Sequence, residues 1–423
     1  MERENTLQVI VVGGGAAGLV CAGFAAQNGC LVTVLERNDR PARKVMITGK
    51  GRCNLTNATE PDEMIKNVPG NGRFLYSAFH NFSYHDTMTL VESMGVPLKT
   101  ERGNRVFPVS DKAVDVVDAL TKFAKSSGAN IEKARVTSLI VEDGVCRGVR
   151  DEAGRELYAD RVVVCTGGVS YPTTGSTGDG YELARQAGHT IVEPRGSLVP
   201  LECEESLCAA AQGLSLKNCG LTVLDTARKN KVVYTDFGEM LFTHFGVSGP
   251  MILSASAHLR DITAGRYRLL IDLKPALSPQ QLDDRLLRDF AERQNTDLQN
   301  TLPKLLPKSL VAPLLTQIGV SGEVKCHSVT REQRELLRNT VKALPLTVTK
   351  PRPVAEAIVT AGGVCVKEVD PKTMESKRCK NLFFAGEVLD VDAYTGGFNL
   401  QIAFSTGAAA GRNLGNEGDV FDE

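Results

Sequence analysis

The chain has 423 residues, 42% of them apolar and 23% charged, and its 49 Lys and Arg against 50 Asp and Glu give a formal charge of −1. That composition excludes a disordered or fibrous chain, and the balanced charge removes any sequence-independent pull toward nucleic acid phosphates or anionic lipid. At roughly 150 residues per domain the length suits about three domains, each able to bury a core without disulfides or structural metals.

In chain order, the run from Val9 to Ala26 carries no charge and imitates a membrane segment. Met1-Glu2-Arg3-Glu4 lacks the positive start of a signal peptide, however, and three consecutive glycines weaken a spanning helix. The glycines fit another pattern. Leu7 to Val12 suits a parallel strand buried on both faces. Gly13-Gly14-Gly15-Ala16-Ala17-Gly18 follows, matches G-x-G-x-x-G, and leads into Leu19 to Gln27, a helix of small and apolar residues. Leu31 to Leu35 gives a second strand, ending at Glu36, 21 residues beyond Gly15. This is a complete dinucleotide-binding βαβ fingerprint. Gly13 permits the tight turn, Gly15 lets a pyrophosphate approach the backbone, and Gly18 lets helix and strand pack closely. The helix amino terminus directs free N–H groups and partial positive charge at the phosphates. Glu36 is placed to accept hydrogen bonds from a ribose, and its charge disfavours a 2′-phosphate.

Three further glycine-rich segments point to a long ligand. Arg43, Lys44, Lys50 and Arg52 put four cations within ten residues, around Thr48-Gly49-Lys50-Gly51-Arg52-Cys53-Asn54-Leu55-Thr56-Asn57. Arg161 to Cys165 reads as a buried strand breaking into Thr166-Gly167-Gly168. It follows Ile131 to Val141 and Val145 to Val149, which read as an antiparallel hairpin turning at Glu142-Asp143-Gly144. Near the carboxyl end, Asn381 to Glu387, Gly396-Gly397-Phe398-Asn399 and Leu400 to Leu414 read as another strand, loop and helix. A helix start there suits the N1–C2=O side of a flavin, which gains negative charge on reduction. One extended FAD accounts for all these segments.

The insert between them divides by pattern. Ile191 to Asp272 alternates short β-rich runs with turns, a small barrel or sandwich. Ser278 to about Ala343 has helical periodicity, as in Leu282, Leu286, Leu287 and Phe290, with breaks expected at Pro303, Pro307 and Pro313. Leu344 to Thr349 returns to the sheet. The expected organisation is α/β: a discontinuous Rossmann-type FAD domain, residues 1–190 plus 352–423; a β-barrel-like substrate or cap domain, 191–277 plus 344–351; and a small helical domain, 278–343.

The eleven cysteines include no C-x-x-C pair and are odd in number, which argues against a disulfide framework or zinc ribbon and for a reducing cytoplasm. No H-E-x-x-H or comparable ligand spacing appears, so no metal is expected. Cys53 reads as a packing or backbone contact beside the cofactor. His244, in the loop Phe242 to Pro250, and Tyr171 and Tyr394, beside glycine-rich loops, are the candidate proton or hydrogen-bond donors. No second G-x-G-x-x-G follows a strand, so NADH or NADPH is expected only as a transient reductant.

The strings Gly13 to Gly18, Thr48 to Asn57, Cys165 to Pro172, Gly175 to Gly180, Phe242 to Pro250, Ala361 to Val364, Ala385 to Asp392 and Gly396 to Gln401 resemble the YhiN/BaiN-like flavoproteins, within the wider glutathione-reductase-type FAD superfamily. The resemblance covers essentially the whole chain. It implies a cytoplasmic oxidoreductase with noncovalent FAD. Beside Gly13 and Gly18 of the fingerprint, the resemblance carried onto matching positions implies cofactor contacts from Gly15, Ala17, Glu36, Arg37, Lys44, Gly51, Arg52, Cys53, Asn54, Thr166, Gly167, Gly386, Glu387, Asn399 and Leu400, with Val136 added from the hairpin strand. The family includes a reductase of 3-oxo-Δ4,6 bile-acid intermediates and an aminoacetone oxidase, so NAD(P)H-dependent reduction of a conjugated enone is the first expectation and amine oxidation with peroxide release the alternative. A small-molecule substrate is expected. A tRNA-associated flavoprotein, the reading from another class, is disfavoured because no basic cluster with interleaved aromatics is present. The oligomeric state is not legible in the sequence.

Overall fold

The computed structural model describes residues 6–415; Met1-Glu2-Arg3-Glu4 lies outside them. The described residues form two compact units, 6–197 with 354–415 and 198–353.

In the first unit, β1 (Gln8–Val12), α1 (Ala16–Gln27) and β2 (Leu31–Glu36) form the opening βαβ unit. Three more strands, β3 (Asn130–Lys133), β4 (Arg161–Val164) and β5 (Leu382–Phe384), complete a parallel sheet of order β5–β4–β1–β2–β3. β1 is paired on both edges and buried from Val9 to Val12, which is why it reads as an unbroken Val/Ile run. α1 is apolar all round because it packs both on the Ala113–Ser126 helix and on α2 (Phe398–Asn413). Gly407 and Gly411 permit the second contact. A Cβ at either would lie 2.4 Å from a backbone oxygen, that of Ala17 or of Cys21. The uncharged Val9–Ala26 run is thus divided between β1 and α1, and among the described residues no helix is long and apolar enough to cross a membrane.

Two expectations need correction here. The stretch Ile131 to Val141 is not one hairpin strand. Asn130–Lys133 runs parallel to β2, and only Val136–Glu142 turns back on Val145–Asp151. The break falls at Ala134, whose N–H donates to Glu36 O at 3.0 Å. Ile191–Ser197, read with the barrel segment, instead pairs antiparallel with Val359–Val364 inside the first unit.

The second unit holds a closed barrel of six strands, in order Leu201–Cys203, Gly246–Ser248, Lys231–Thr243, Ser215–Asp225, Tyr267–Asp272 and Leu344–Pro351. Alternation sets the interior: Leu221 and Val223, Leu269 and Ile271, and Leu344, Leu346 and Val348 are buried in turn. The helices Pro279–Glu292, Lys308–Gln317 and Arg331–Lys342 share one apolar core with the barrel. Ser278 with Gln281 and Thr330 with Gln333 form capping boxes that start two of them. Leu282, Leu286 and Phe290 face that core, whereas Leu287 is exposed. Pro313 does not break its helix: Leu310, Val311, Leu314 and Leu315 are buried around it, and their packing outweighs one lost hydrogen bond.

Gly407→Ala should therefore destabilise the protein by about 1–3 kcal/mol through overpacking of α2 on α1. Thermal unfolding would show a lowered midpoint; an unchanged midpoint would contradict the close approach of the two helices.

Candidate functional site

A cleft of about 480 Å³ opens in the first unit at the carboxyl ends of the parallel strands, where ligands of open α/β sheets bind. Its floor begins at the amino terminus of α1. Gly13 has φ +100°, and a Cβ there would stand 2.7 Å from Cys165 O. At Gly15, the N-cap, an added Cβ would meet only Cys165 O, at 3.9 Å, so the position borders open space. No side chain caps this helix and its first turn holds no acid. The terminal N–H groups and their partial positive charge are thus left for a ligand. Gly13, Gly15 and Ala17 line the cleft. Gly18 does not; a Cβ there would overlap Gly13 O at 1.9 Å, so its task is packing.

Glu36 closes β2, lines the cleft and is buried. Its Oε2 accepts from Gly14 N–H at 2.8 Å, and Oε1 accepts from the N–H and Nδ2 of Asn38 at 2.8 and 2.7 Å. A carboxylate has about four acceptor sites. These three bonds fix its orientation and leave Oε2 able to accept another. Beside it, Arg37 donates to Thr177 Oγ1 at 2.6 Å and to Asp179 Oδ2 at 3.1 Å, while Arg135 Nε reaches Asp179 at 3.2 Å. Burial pushes the Asp179 carboxyl up, but the hydrogen bonds from Arg135 and Thr177 and the nearby cations prevail and hold it below its ordinary value. Arg37, Arg135, Val136 and Asp179 all line this end of the cleft.

After β4, Thr166 and Gly167 line the wall, and Thr166 Oγ1 is buried with no hydrogen-bond partner. Lys44 Nζ is held by Glu387 Oε2 and Oε1 at 2.7 and 2.9 Å and by Ser170 Oγ at 2.6 Å. Glu387 Oε1 also accepts from Thr360 N–H at 2.8 Å. Tyr171, next in the chain, lines the cleft with φ +52°, a backbone state uncommon for a residue with a Cβ.

The opposite end is built from α2. Gly397, its N-cap, has φ +101°; the helix has no side-chain cap and no acid in its first turn. Gly386, Asn399 and Leu400 line the cleft. The Asn399 side chain closes the preceding loop, its Oδ1 accepting from Ala393 N–H at 2.9 Å and its Nδ2 donating to Ala393 O at 2.7 Å. Tyr394 is outside the lining; its N–H donates to Asn67 O at 3.0 Å.

In the 48–54 loop, Thr48, Gly49, Lys50 and Asn54 line the cleft, whereas Gly51, Arg52 and Cys53 do not. The Arg52 guanidinium binds Glu101 and Asp111 and lies 4.2 Å over the Phe107 ring. It is therefore committed to carboxylates and not presented to a pyrophosphate. Cys53 is buried, and burial pushes its thiol up to about 12, so it stays protonated and unreactive. His244 sits on an exposed barrel turn of the second unit, its ring edge-on to Phe245, and is not among the residues of the cleft. Among the described residues no group of three or more His, Cys, Asp or Glu could hold a metal.

Sequence reasoning missed Asn38, Ser170 and Thr360, which orient Glu36, Lys44 and Glu387. Asn38, two residues from Glu36, and Ser170, inside the Cys165 to Pro172 string and next to Tyr171, carried a local signal; Thr360 did not. The polar groups of the cleft suit FAD: two uncapped helix starts for anionic groups and a ribose acceptor in Glu36.

The HI0933-like protein Rossmann domain model matches residues 7–413. The ribosomal RNA dihydrouridine synthase of Escherichia coli (strain K12) is 30% identical over 418 residues, 98% of each chain. The 3-dehydro-bile acid delta(4,6)-reductase of Clostridium scindens is 30% identical over 421 residues, 95% of this chain and 97% of that one. Among solved structures, the 3-ketosteroid-delta4-(5alpha)-dehydrogenase of Rhodococcus jostii RHA1 has the same fold, with TM-score 0.52, 14% identity and 99% of both chains covered. With its parallel Rossmann sheet, uncapped glycine turns and match across nearly its full length, the chain belongs to the HI0933-like family and is one of its FAD-dependent oxidoreductases.

Proposed function

We propose that the protein reduces a carbon–carbon double bond conjugated to a carbonyl, using noncovalent FAD in the cleft of the first unit and NADH or NADPH as transient reductant. The observation that carries this reading is a cleft lined both by Lys44, held by Glu387 and Ser170, and by Tyr171 in its uncommon backbone state. The relatives' names support it. A dihydrouridine synthase saturates the C5=C6 bond of uridine, conjugated to a carbonyl, and a delta(4,6)-reductase saturates a double bond conjugated to the 3-oxo group.

FAD, when bound, supplies the hydride. The chain's residues do the rest. The α1 and α2 amino termini hold the anionic parts of the cofactor, and Glu36 accepts from its ribose. Lys44, its ammonium held in place by Glu387 and Ser170, lends positive charge near the substrate carbonyl oxygen, where negative charge grows as hydride arrives at the β-carbon. Tyr171 delivers the proton to the α-carbon.

The substrate follows from the first expectation, a small conjugated enone. A second reading, uridine in RNA, is favoured by the names of the Escherichia coli and Haemophilus influenzae relatives, each 30% identical. The balanced charge of the chain favours the small molecule.

Anaerobic NADH or NADPH should bleach the flavin band, and a 3-oxo-4,6-diene should restore it while gaining the mass of two hydrogens. RNA that gains the same mass at uridine would select the second substrate. Restoration by neither, with peroxide released from an α-aminoketone in air, would overturn the reductase reading. Tyr171→Phe should slow enone turnover about hundredfold or more with flavin bleaching by nicotinamide unchanged; equal turnover would remove Tyr171 as proton donor. Glu36→Gln keeps the shape and loses the charge, so the dissociation constant for FAD measured by equilibrium titration should rise about tenfold, on the order of 1.4 kcal/mol. An unchanged constant would remove the ribose contact.

A further inference from the structure

Two of the strings singled out in the sequence, Thr48 to Asn57 and Gly396 to Gln401, bind each other. Backbone comes first: a Cβ on Gly397 would lie 2.3 Å from Thr56 C and O, so only glycine lets the start of α2 rest on this strand. With its amide oriented to satisfy both atoms, Asn54 accepts from Gly397 N–H at 3.1 Å and donates to Thr56 O at 3.2 Å. Asn57 Nδ2 donates to Gly396 O at 3.0 Å.

Gln401, one turn into α2 and fully buried, completes the join. Its Oε1 accepts from Thr56 Oγ1 at 2.6 Å and Thr87 Oγ1 at 2.9 Å. Its Nε2 donates to Phe82 O at 3.1 Å and to Ser405 Oγ at 2.9 Å. Both acceptor sites and both donors of the amide are used. A buried polar network so fully satisfied is rigid and permits one arrangement. Gln401 does not line the cleft, so ligand contact does not account for it. What it holds is the first turn of α2, whose uncapped N–H groups carry partial positive charge beside Asn399 and Leu400 of the cleft. A field acts at full strength only from donors fixed in place beforehand.

We propose that Gln401 is a positioning residue: by tying the first turn of α2 to Thr56 and Thr87, it sets how strongly that helix start favours the reduced, more negative form of the flavin. This rests on the reading that FAD occupies the cleft with its flavin toward α2. Losing the tie lets the turn drift, and the reduced form loses part of its stabilisation.

The test uses the purified full-length holoenzyme. FAD occupancy is taken from the absorption spectrum and the midpoint potential from equilibration with a reference dye. Gln401→Met fills the same space without hydrogen bonds. It should retain FAD but lower the equilibrium constant for two-electron reduction about threefold to tenfold, a shift of about 15 to 30 mV to more negative potential. Thr87→Val removes one donor from the Tyr84–Ser93 helix, outside the cleft lining. It should shift the potential the same way by less, and it decides the matter if Gln401→Met does not fold. FAD-replete variants at the wild-type potential would overturn this inference alone, even with lowered melting temperatures. Wild-type protein that takes up no FAD would overturn the functional reading on which it rests.

Discussion

The structure depends on two helix amino termini converging on one cleft without side chains to neutralise them. α1 starts on Gly15 and α2 on Gly397, and neither first turn contains an acid or a capping oxygen. Uncapped helix starts ordinarily carry a cost in stability, which a bound anionic group offsets. Both starts are reached by backbone so close that a single Cβ would overlap: Gly13 against Cys165 and Gly397 against Thr56. The glycines therefore bring N–H groups to the ligand and let distant segments meet there.

Around these termini the polar side chains are engaged before any ligand arrives. Glu36 is fixed by Gly14 and Asn38, Lys44 by Glu387 and Ser170, and Gln401 by four hydrogen bonds. Such pre-orientation reduces what must be ordered when cofactor and substrate bind. Thr166 is the exception, a buried hydroxyl with its bonding capacity unspent on the cleft wall.

How much of this was legible in the sequence follows the range of each interaction. The opening βαβ unit was readable because its turn, packing and ribose acceptor lie within 36 − 13 = 23 residues of one another. Gly15, Glu36, Thr166, Gly386 and Asn399 stand in the cleft for the same reason: each sits at a strand end or a helix start that the local pattern already marks. Arg52 was misplaced because a cation in a glycine-rich loop carries no mark of its partner. Glu101 and Asp111, on another small sheet and its following turn, claim it. Thr360 reaches Glu387 across 27 residues and Thr87 reaches Gln401 across 314, spans for which no periodicity exists. The Ile131 to Val141 run was apolar enough for one strand, yet its break at Ala134 is set by a bond to Glu36 in a neighbouring strand. His244 lies, as its place in the insert implied, on an exposed turn of the barrel unit.

The chemistry that unites the account is stabilisation of growing negative charge, on the cofactor by helix starts and on a substrate carbonyl by Lys44. Every part of it requires FAD in the first unit's cleft. The most direct measurement is titration of the purified protein, stripped of any colour, with FAD, followed by the visible spectrum. Saturation at one FAD per chain, with the bound-flavin band restored, is expected. Protein that stays colourless and leaves all added FAD free in solution would contradict it.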